Sequence, residues 1–576
     1  MLETPSSQGG LRAAVRKFLP GPHDYAPRHW RVDLLAGVTV AFVALPLALG
    51  FGVTSGAGAT AGIVTAVIAG IVAAVFGGSN FQISGPTGAM TAVLLPIVAD
   101  YGVGALPVLG IGAGLILILL GIARVGRYVR FIPWPVVTGF TNGIAVIIFL
   151  QQLPNVLGTP TPHGESIVVL ALATVRSWAA APTFTPALLA LLAVVVMVGW
   201  SRVRALGVVP ASMAALLVVT LVSLLPPFAE VARIGEIPRS LPMPHLPSLT
   251  FAGAWVDLAR AAFAIAVLAA LESLLCAVVA DGMTIGEKHD PDRELVGQGL
   301  GNVAAALFGG LPATAALART AVNVRSGART RLASIVHGLT LLLIILFLAP
   351  LAAQVPLAVL GGILMVVAVR MVERQAAALI LRSTKSDAFV LLLTMVITIF
   401  FDLILAIEVG LVAAAVLFIV RMSTMFTIDP IVLAGVDPAH ESEADQAAER
   451  ALLQKHVVAY RVDGPIFFGA AERFIDQLLK VDASIRVLIL RLRRVPVMDA
   501  TGVTALESLH DRLRRRGVRM MISGLQAQPR ALLERTGVWE DLMAKGVQEY
   551  GTTEEAIAAA AHEVAAPRDT SERSVP

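Results

Sequence analysis

Long apolar runs recur from Leu34 to Val420, and they restrict the fold more than any other feature of the chain. A helix needs about 20 consecutive apolar residues to cross a bilayer, and several of these runs approach that length. The 576 residues are 56% hydrophobic and 15% charged, and the mean hydropathy is +0.79. Soluble domains contain about 25% charged residues. The sequence therefore predicts a polytopic α-helical membrane protein.

A proline-rich stretch, Leu224–Pro247, divides the apolar region because it is too polar and too often interrupted to lie in a membrane. Before it we predict seven spans, at 32–52, 60–78, 85–99, 103–123, 131–152, 184–200 and 206–226. After it we predict seven more, at 256–280, 293–309, 314–325, 331–351, 356–371, 387–403 and 405–422. The transmembrane region at 32–422 therefore consists of two sets, at about 32–226 and 256–422.

The positions of Arg and Lys support this count. The N-terminal segment 1–31 is basic and lacks the pattern of a signal peptide, which predicts that it is cytoplasmic. The even-numbered connections are then cytoplasmic too, and they carry Arg124, Arg127, Arg130, Arg202, Arg204, Arg325, Arg329, Arg331, Arg370, Arg374, Arg382 and Lys385. The odd-numbered connections are poor in Lys and Arg. This positive-inside distribution predicts fourteen spans in a bacterial-type inner membrane, with both termini cytoplasmic.

The third segment of each set, Ile83–Val93 and Gly310–Val322, is too broken by Gly, Pro and Thr to be an ordinary span. Irregular backbone is tolerated at membrane depth only where protein or a water-filled cavity satisfies its polar groups. One such segment in each half is typical of paired half-helices that meet near the midplane of a transporter. Because helix N-termini attract negative charge, the two segments predict a site for a small anion.

After Arg421 the sequence changes in character. We predict a polar linker at 423–450, a soluble α/β domain at 451–562 and a disordered tail at 563–576. Strands are predicted at His456–Val462, Ser484–Leu492 and Val518–Ser523, and helices at Ala470–Val481, Gly502–Arg516 and Gln528–Thr536. Alternating strands and helices indicate a small layered domain.

Several functional classes find no support in the sequence. The single cysteine, Cys276, excludes an internal disulfide framework. There is no Walker motif, no HExxH and no metal-spaced cluster of Cys and His. We therefore expect no enzyme activity, no metal, no cofactor and no nucleic-acid partner.

Five motifs and the C-terminal region together resemble a known family. The motifs are GVTVAFVALPLALGFG at 37–52, GATAG at 58–62, ISGPTGAMTAV at 83–93, LESLL at 271–275 and DPDRELVGQGLGNVAAALFGGLPATAALARTAVNVRSGART at 290–330. They are similar to the SulP family of anion transporters, and the C-terminal domain resembles the cytoplasmic STAS domain of that family. The resemblance implies a seven-plus-seven inverted repeat with core and gate domains. It also implies a homodimer that moves one anion by an elevator-like motion.

In the first repeat, Thr87 opens the interrupted span together with Gly88 and Ala89. The Thr87 hydroxyl and the free N–H groups of this turn could replace the hydration shell of an anion. The alternative is that Thr87 only caps a short buried helix. Phe51 and Leu47 match positions that face the substrate in the resembled family, although apolar packing would also explain them.

In the second repeat, Ala315, Ala316 and Leu317 are the matching backbone donors, and Arg319 follows within the same segment. A charge inside a membrane is costly and is a functional hypothesis by default. The resemblance implies that Arg319 supplies positive field to the anion. The alternative is a structural salt bridge between Arg319 and Glu272.

Glu272 lies in an apolar span with no other charge nearby, and burial disfavours the charged form of a carboxyl. A group that gains and loses a proton is what proton-coupled anion uptake requires. The bicarbonate transporters of the resembled family have Asp in place of Glu272 and Thr in place of Cys276 and Leu317. Those oxygens resemble sodium ligands, and sulfur or a hydrocarbon side chain would replace them poorly. The sequence therefore favours coupling to H⁺ over Na⁺ at Glu272 and Cys276.

In the soluble domain, VMDATGV at 497–503 resembles the loop in which STAS-related proteins are phosphorylated at the position of Thr501. A phosphate at a helix N-terminus is electrostatically reasonable. The simpler alternative is that Asp499 and Thr501 cap the following helix.

The leading hypothesis is a secondary transporter of a small oxyanion, with sulfate carried by proton symport. The alternatives are a sodium-coupled bicarbonate transporter, a dicarboxylate carrier and an anion exchanger. A nucleobase permease has the same seven-plus-seven architecture but generally lacks a STAS domain. His337 and Asp402 lie in predicted spans without an assigned role, and Asn142, Gln151 and Gln152 are predicted to form hydrogen bonds between helices.

Overall fold

The structure of the chain is a computed structural model. It describes residues 29–160, 167–200, 202, 209–228, 230–247, 253–284, 288–401, 403–424, 426–431, 455–479, 482 and 484–565. Most of the predicted N-terminal segment and linker, the end of the predicted tail and Asp402 lie outside these residues. The described residues form two compact units, which meet in sequence at Val412 and Ala413.

The first half of the membrane unit contains nine α-helices in the described ranges and one very short strand. They are α1 (Trp30–Thr54), α2 (Ala59–Phe76), β1 (Ser84–Gly85), α3 (Gly88–Tyr101), α4 (Ala105–Ile122), α5 (Trp134–Gln151), α6 (Leu153–Leu157), α7 (Ile167–Ala180), α8 (Phe184–Trp200) and α9 (Ala211–Val222). Short 3₁₀ turns at Gly126–Phe131 and Pro226–Phe228 follow α4 and α9.

The second half repeats the pattern. It contains α10 (Trp255–Met283), α11 (Pro291–Leu307), β2 (Thr314–Ala315), α12 (Leu317–Arg325), α13 (Leu332–Ala353), α14 (Leu357–Met371), α15 (Arg374–Arg382) and α16 (Lys385–Phe400). The next helix, α17 (Leu403–Thr424), includes the boundary between the two units at Val412 and Ala413. By length and composition, seven of the described helical stretches could cross a membrane, while α3, α7, α8 and α9 are shorter apolar helices. A helix lies at each of the fourteen predicted positions, but the number of membrane crossings stays a prediction.

The sequence analysis missed α7 and α15. Each of these helices follows the fifth predicted span of its repeat. Of α15, a nine-residue helix, only Ile380 is buried, so its sequence does not have the continuous apolar character that marks a span. α15 is therefore visible in the sequence only as a mixed connection, whereas α7, with the sequence IVVLALATVRSWAA, is an apolar segment that the sequence analysis overlooked.

Small residues let α4 and α11 pack closely. A Cβ atom on Gly114 would lie 2.6 Å from the carbonyl oxygen of Gly299, and one on Gly110 would lie 2.7 Å from the Cβ of Ala306. Close backbone approach at small residues is typical of helix pairs in membranes. The contact holds the helix before the second interrupted segment against the first repeat.

The C-terminal unit has a five-stranded sheet in the order β3-β4-β5-β6-β7. Its elements are β3 (Thr427–Pro430), β4 (Val457–Asp463), α18 (Phe468–Leu478), β5 (Val487–Arg494), α19 (Ala500–Arg515), β6 (Arg519–Ser523), α20 (Ala527–Arg535), α21 (Val538–Ala544), β7 (Gln548–Tyr550) and α22 (Thr553–Ala565). β4 to β7 are parallel, and β3 pairs antiparallel with β4.

Both faces of this sheet are covered. Leu488, Leu490 and Leu492 of β5 pack into one apolar cluster with α18 and α19, and Val487 and Ile489 pack into another with α22. A parallel sheet with helices on its two faces is expected to have such continuously apolar strands. The predicted layered α/β arrangement is therefore observed.

The boundaries of this unit differ from the prediction at both ends. β3 lies within the predicted linker at 423–450, and α22 continues to Ala565, beyond the predicted end at 562. β3 has only four residues and ends in Pro430, and such a sequence is compatible only with the edge of a sheet. Its strand character depends on pairing with β4, which no local pattern predicts.

Gly114→Ala is expected to lower the apparent melting temperature of the purified protein by several degrees. The added methyl group would push α4 away from the Gly299 carbonyl, and overpacking of this kind costs about 1–3 kcal/mol. Gly199→Ala on α8 is the matched control, because no described atom lies within 4 Å of the Cβ it would add. Equal melting temperatures for the two variants, measured by fluorescence-detected size exclusion, would contradict the close packing.

Candidate anion-binding site

The two interrupted segments meet through backbone pairing. β1 and β2 are antiparallel, with Ser84 opposite Ala315 and Gly85 opposite Thr314. α3 begins at Gly88 and α12 begins at Leu317, so each half-helix starts within three residues of the paired strands. The pairing therefore brings two helix N-termini to one place. We call the paired residues Ser84–Gly85 and Thr314–Ala315 the crossing, and all four are buried.

The start of α3 presents the donors that the sequence predicts. Thr87 is the N-cap, and its Oγ1 accepts a bond of 3.4 Å from the N–H of Met90. The first backbone bond of the helix runs from Thr91 N–H to Thr87 O, at 3.0 Å. The amides of Gly88 and Ala89 precede that bond, so the helix itself does not use them.

The start of α12 requires a correction. The N–H of Ala315 donates to Ser273 Oγ at 3.2 Å, and the N–H of Ala316 donates to the carbonyl of Ile83 at 3.0 Å. These amides cannot serve as anion donors because the Ser273 hydroxyl and the Ile83 carbonyl already accept their hydrogens. The first helical bond is from Thr320 N–H to Ala316 O, which leaves the amides of Leu317 and the next two residues outside the helical bonds. Leu317 is 43% exposed.

Arg319 lies behind the crossing, with 1% of its surface exposed. Its Nη2 donates to the carbonyl of Pro86 at 2.9 Å, directly before the cap of α3. A Cβ on Gly85 would lie 2.7 Å from Nη1, so only glycine fits between the strand and the guanidinium. The side chain therefore brings a positive charge to the starts of both half-helices.

Glu272 of α10 contacts the site through Thr87. The Thr87 hydroxyl donates to Glu272 Oε2 at 3.1 Å. Among the described residues Glu272 and Arg319 form no ion pair within 4.0 Å, so the structure does not show the alternative salt bridge. Because a hydroxyl has one hydrogen, Thr87 cannot donate to an anion while it donates to Glu272.

Cys276 and Ser273 belong to the scaffold of the crossing. The Cys276 thiol donates to Thr320 Oγ1 at 3.2 Å, and that oxygen also accepts the N–H of Ile83 at 3.1 Å. Ser273 Oγ is 2.9 Å from Thr314 Oγ1, and its carbonyl accepts a bond from the Gln82 amide. Sequence analysis missed Ser273, although a serine next to an intramembrane glutamate is a usable signal.

Three polar side chains on one face of α12 form hydrogen bonds with backbone atoms in or next to the first interrupted segment. Arg319, Thr320 and Asn323 contact Pro86 O, Ile83 N and Phe81 O respectively. Asn302 of α11 forms two bonds with the backbone of Ala313, of 2.7 and 2.9 Å. These polar side chains satisfy the irregular backbone that the membrane would otherwise leave unpaired.

Phe51 lies beside the start of α3. A Cβ on Gly88 would be 3.3 Å from its ring and would also meet the side chain of Ile148. Phe51 and Leu47 are both 5% exposed and belong to one apolar cluster with Ala89. The structure thus brings Phe51 next to the start of α3, and it packs Leu47 into the same apolar cluster.

Of the remaining predicted residues, Thr501 belongs to the C-terminal unit, and Asn142 and Gln152 belong to the membrane unit. Thr501 is exposed in the first turn of α19, where Asp499 is the N-cap and accepts from Gly502 N–H at 2.8 Å. Its phosphorylation stays a prediction. Asn142 accepts from the N–H of Glu373, and Gln152 bonds to Thr54, so both connect separate elements as predicted.

Comparisons with known proteins show which family the chain belongs to. The profile of the Sulfate permease family matches residues 30–394, and that of the STAS domain matches residues 450–556. The chain is 39% identical over 531 residues to "Putative sulfate transporter YvdB" of Bacillus subtilis (strain 168), covering 90% of this chain and 96% of that protein. It is 33% identical over 526 residues to the bicarbonate transporter BicA of Picosynechococcus sp., covering 88% and 91%.

A solved structure extends the likeness to the whole fold. The murine Solute Carrier 26 family member A9 (Slc26a9) anion transporter in the inward-facing state superposes with a TM-score of 0.83 at 19% identity, over 97% of this chain and 96% of that chain. These findings confirm the predicted polytopic helical membrane protein with a STAS domain, and they identify a transporter rather than an enzyme. The chain belongs to the sulfate permease family of anion transporters.

Proposed function

We propose that this chain is a secondary active transporter of a small oxyanion, and that it carries sulfate by symport with H⁺. The observation that carries the proposal is the meeting of two half-helix N-termini in front of the buried Arg319 guanidinium. Backbone amides and a guanidinium are suited to the oxygens of a tetrahedral or planar anion. We place the protein in a bacterial inner membrane with both termini cytoplasmic.

The charges at the crossing favour an anion in either protonation state of Glu272. Each helix N-terminus contributes about half a positive charge. Together with Arg319, the site therefore carries about one net positive charge when Glu272 is ionised, and about two when it is protonated. Protonation of Glu272 strengthens the attraction for an anion without moving any part of the protein.

Thr87 gives this coupling a specific geometry. With Glu272 ionised, the only hydrogen of the Thr87 hydroxyl is directed at the carboxylate. A protonated Glu272 can instead donate its own hydrogen to Thr87 Oγ1. That oxygen then accepts two bonds, from Glu272 and from Met90 N–H, and its hydrogen becomes available to the anion. Proton binding and anion binding are thereby linked through one hydroxyl.

Sodium-coupled bicarbonate transport is the second candidate, and the 33% identity to BicA favours it. Against sodium, the Cys276 thiol is bonded to Thr320 and the Leu317 side chain has no oxygen. A hard cation prefers oxygen ligands. A dicarboxylate carrier and an anion exchanger are further alternatives. From membership of the family we also propose that the protein is a homodimer and that it moves the anion by an elevator-like motion.

The deciding experiment compares wild type with Glu272→Gln in proteoliposomes, using radiolabelled sulfate or bicarbonate and an inward gradient of H⁺ or Na⁺. Gln carries no charge and can donate or accept, so it mimics the protonated acid toward Thr87. We expect sulfate uptake by wild type to follow the proton gradient, and uptake by Glu272→Gln to persist without that response.

Glu373→Gln is the matched control. Burial raises the pKa of Glu373, and a hydrogen bond from Thr138 at 3.3 Å lowers it, so it is also a carboxyl bonded to a threonine but away from the crossing. Uptake by Glu373→Gln should still follow the proton gradient. Proton-driven uptake in Glu272→Gln would show that Glu272 is not the coupling group, and sodium-driven bicarbonate uptake would favour the second candidate.

Thr87→Val is expected to raise the KM for the anion about ten-fold, because it removes the cap of α3 and the hydroxyl that links Glu272 to the site. Thr87→Ser keeps the hydroxyl and should stay close to wild type. Uptake kinetics over a range of anion concentrations measure both. If Val and Ser have the same KM, the hydroxyl has no part in binding.

A further inference from the structure

Four buried side chains around the crossing have polar atoms with no hydrogen-bond partner among the residues that the structure describes. The atoms are both ring nitrogens of His337, Nη1 of Arg319, Oε1 of Gln82 and Oδ1 of Asn323. His337 and Asn323 are 0% exposed, Arg319 is 1% exposed and Gln82 is 6% exposed. Buried polar atoms are nearly always paired, so a concentration of unpaired ones in one place requires an explanation.

His337 and Arg319 lie on the same side of the crossing, along α2. A Cβ on Gly70 would be 3.8 Å from His337 Nδ1 and 3.2 Å from the carbonyl oxygen of Ser84. A Cβ on Gly85 would be 2.7 Å from Arg319 Nη1 and 3.3 Å from the Cα of Ala66. Ala66 and Gly70 are four residues apart on α2, which is about 6 Å along the axis. The unpaired atoms of Arg319 and His337 therefore lie close to the same stretch of α2.

The chemistry of the unpaired atoms identifies what can pair with them. Arg319 Nη1 only donates, Gln82 Oε1 and Asn323 Oδ1 only accept, and a neutral imidazole does one at each nitrogen. An anion would leave the acceptors unpaired, and a cation would be repelled by Arg319. Water both donates and accepts, and buried water typically forms about three hydrogen bonds to such groups.

We propose that ordered water connects His337 to Arg319 Nη1 behind the crossing. His337 is then a positioning residue: it holds the guanidinium through water while Nη2 is held by the Pro86 carbonyl. Its effect on anion transport rests on the proposed function, whereas the water site itself does not.

The first test is a structure of the full-length protein in lipid nanodiscs, at a resolution that shows ordered water. Density is expected within about 2.7–3.2 Å of both Arg319 Nη1 and a ring nitrogen of His337. A well-defined guanidinium and imidazole with no density between them would overturn the proposal, whether or not sulfate is the substrate.

The second test measures the KM of uptake, for whichever anion the wild type carries, in His337→Gln and His337→Phe. Gln retains a donor and an acceptor and should keep the KM near the wild-type value. Phe retains neither and should raise the KM about five-fold, the ratio expected from the loss of one buried hydrogen bond.

Ser334→Ala is the control for loosened packing, because Ser334 lies one turn earlier on α13 and bonds to the Gln82 carbonyl at 2.7 Å. We expect Ser334→Ala to lower the melting temperature and to leave the KM near the wild-type value. The positioning role is overturned if His337→Phe keeps the wild-type KM, if Gln and Phe raise the KM equally, or if Ser334→Ala reproduces the KM of His337→Phe. Should Phe fail to fold, the comparison of Gln with Ser334→Ala and the density of the first test decide the proposal.

Discussion

The antiparallel pairing of Ser84–Gly85 with Thr314–Ala315 is the interaction on which the rest of the membrane unit depends. A chain that interrupts two helices at membrane depth exposes backbone groups that lipid cannot satisfy. Here each interrupted segment satisfies part of the other, and the two half-helices can then start at a common point. The amides of Ala315 and Ala316, just before α12, donate to Ser273 Oγ and to the Ile83 carbonyl, so the donors that remain lie in the first turn of each half-helix. The proposed anion site is made of those remaining donors.

The polar residues of the neighbouring helices follow from the same constraint. α12 has the sequence LARTAVNVR, which is unsuited to contact with lipid, and its polar face is bonded along the first interrupted segment. Asn302 on α11 and Ser273 on α10 serve the second segment in the same way. These side chains form hydrogen bonds with the irregular backbone and thereby hold it in one conformation. Rigidity matters at a binding site because donors that are already fixed need no reorganisation when the anion arrives.

Sequence patterns predicted the interrupted segments, the half-helix starts and the α/β character of the C-terminal unit, because each depends on local composition and periodicity. They did not predict that the amides of Ala315 and Ala316 donate to Ser273 and Ile83, since that depends on which elements lie opposite them. The direction of the Thr87 hydroxyl likewise depends on Glu272, 185 residues away in sequence. β3 was missed because a four-residue edge strand is defined only by its partner. The features that were missed depend on pairing between residues far apart in sequence, whereas the features that were predicted depend on local composition and periodicity.

An acidic residue beside an anion site would be a defect in a channel, because it always opposes the field of Arg319. In a carrier coupled to protons, such a residue can serve as the group that binds the proton. If the proton on Glu272 raises the affinity for the anion, then the anion must raise the affinity for the proton by the same factor. The shared Thr87 hydroxyl makes that reciprocity local, since its single hydrogen is given to the carboxylate or to the anion but never to both. The proposed coupling needs no long pathway through the protein. It requires only that Thr87, Glu272 and Arg319 keep their positions relative to one another. The hydrogen bonds that α10, α11 and α12 form around the crossing hold these residues in place.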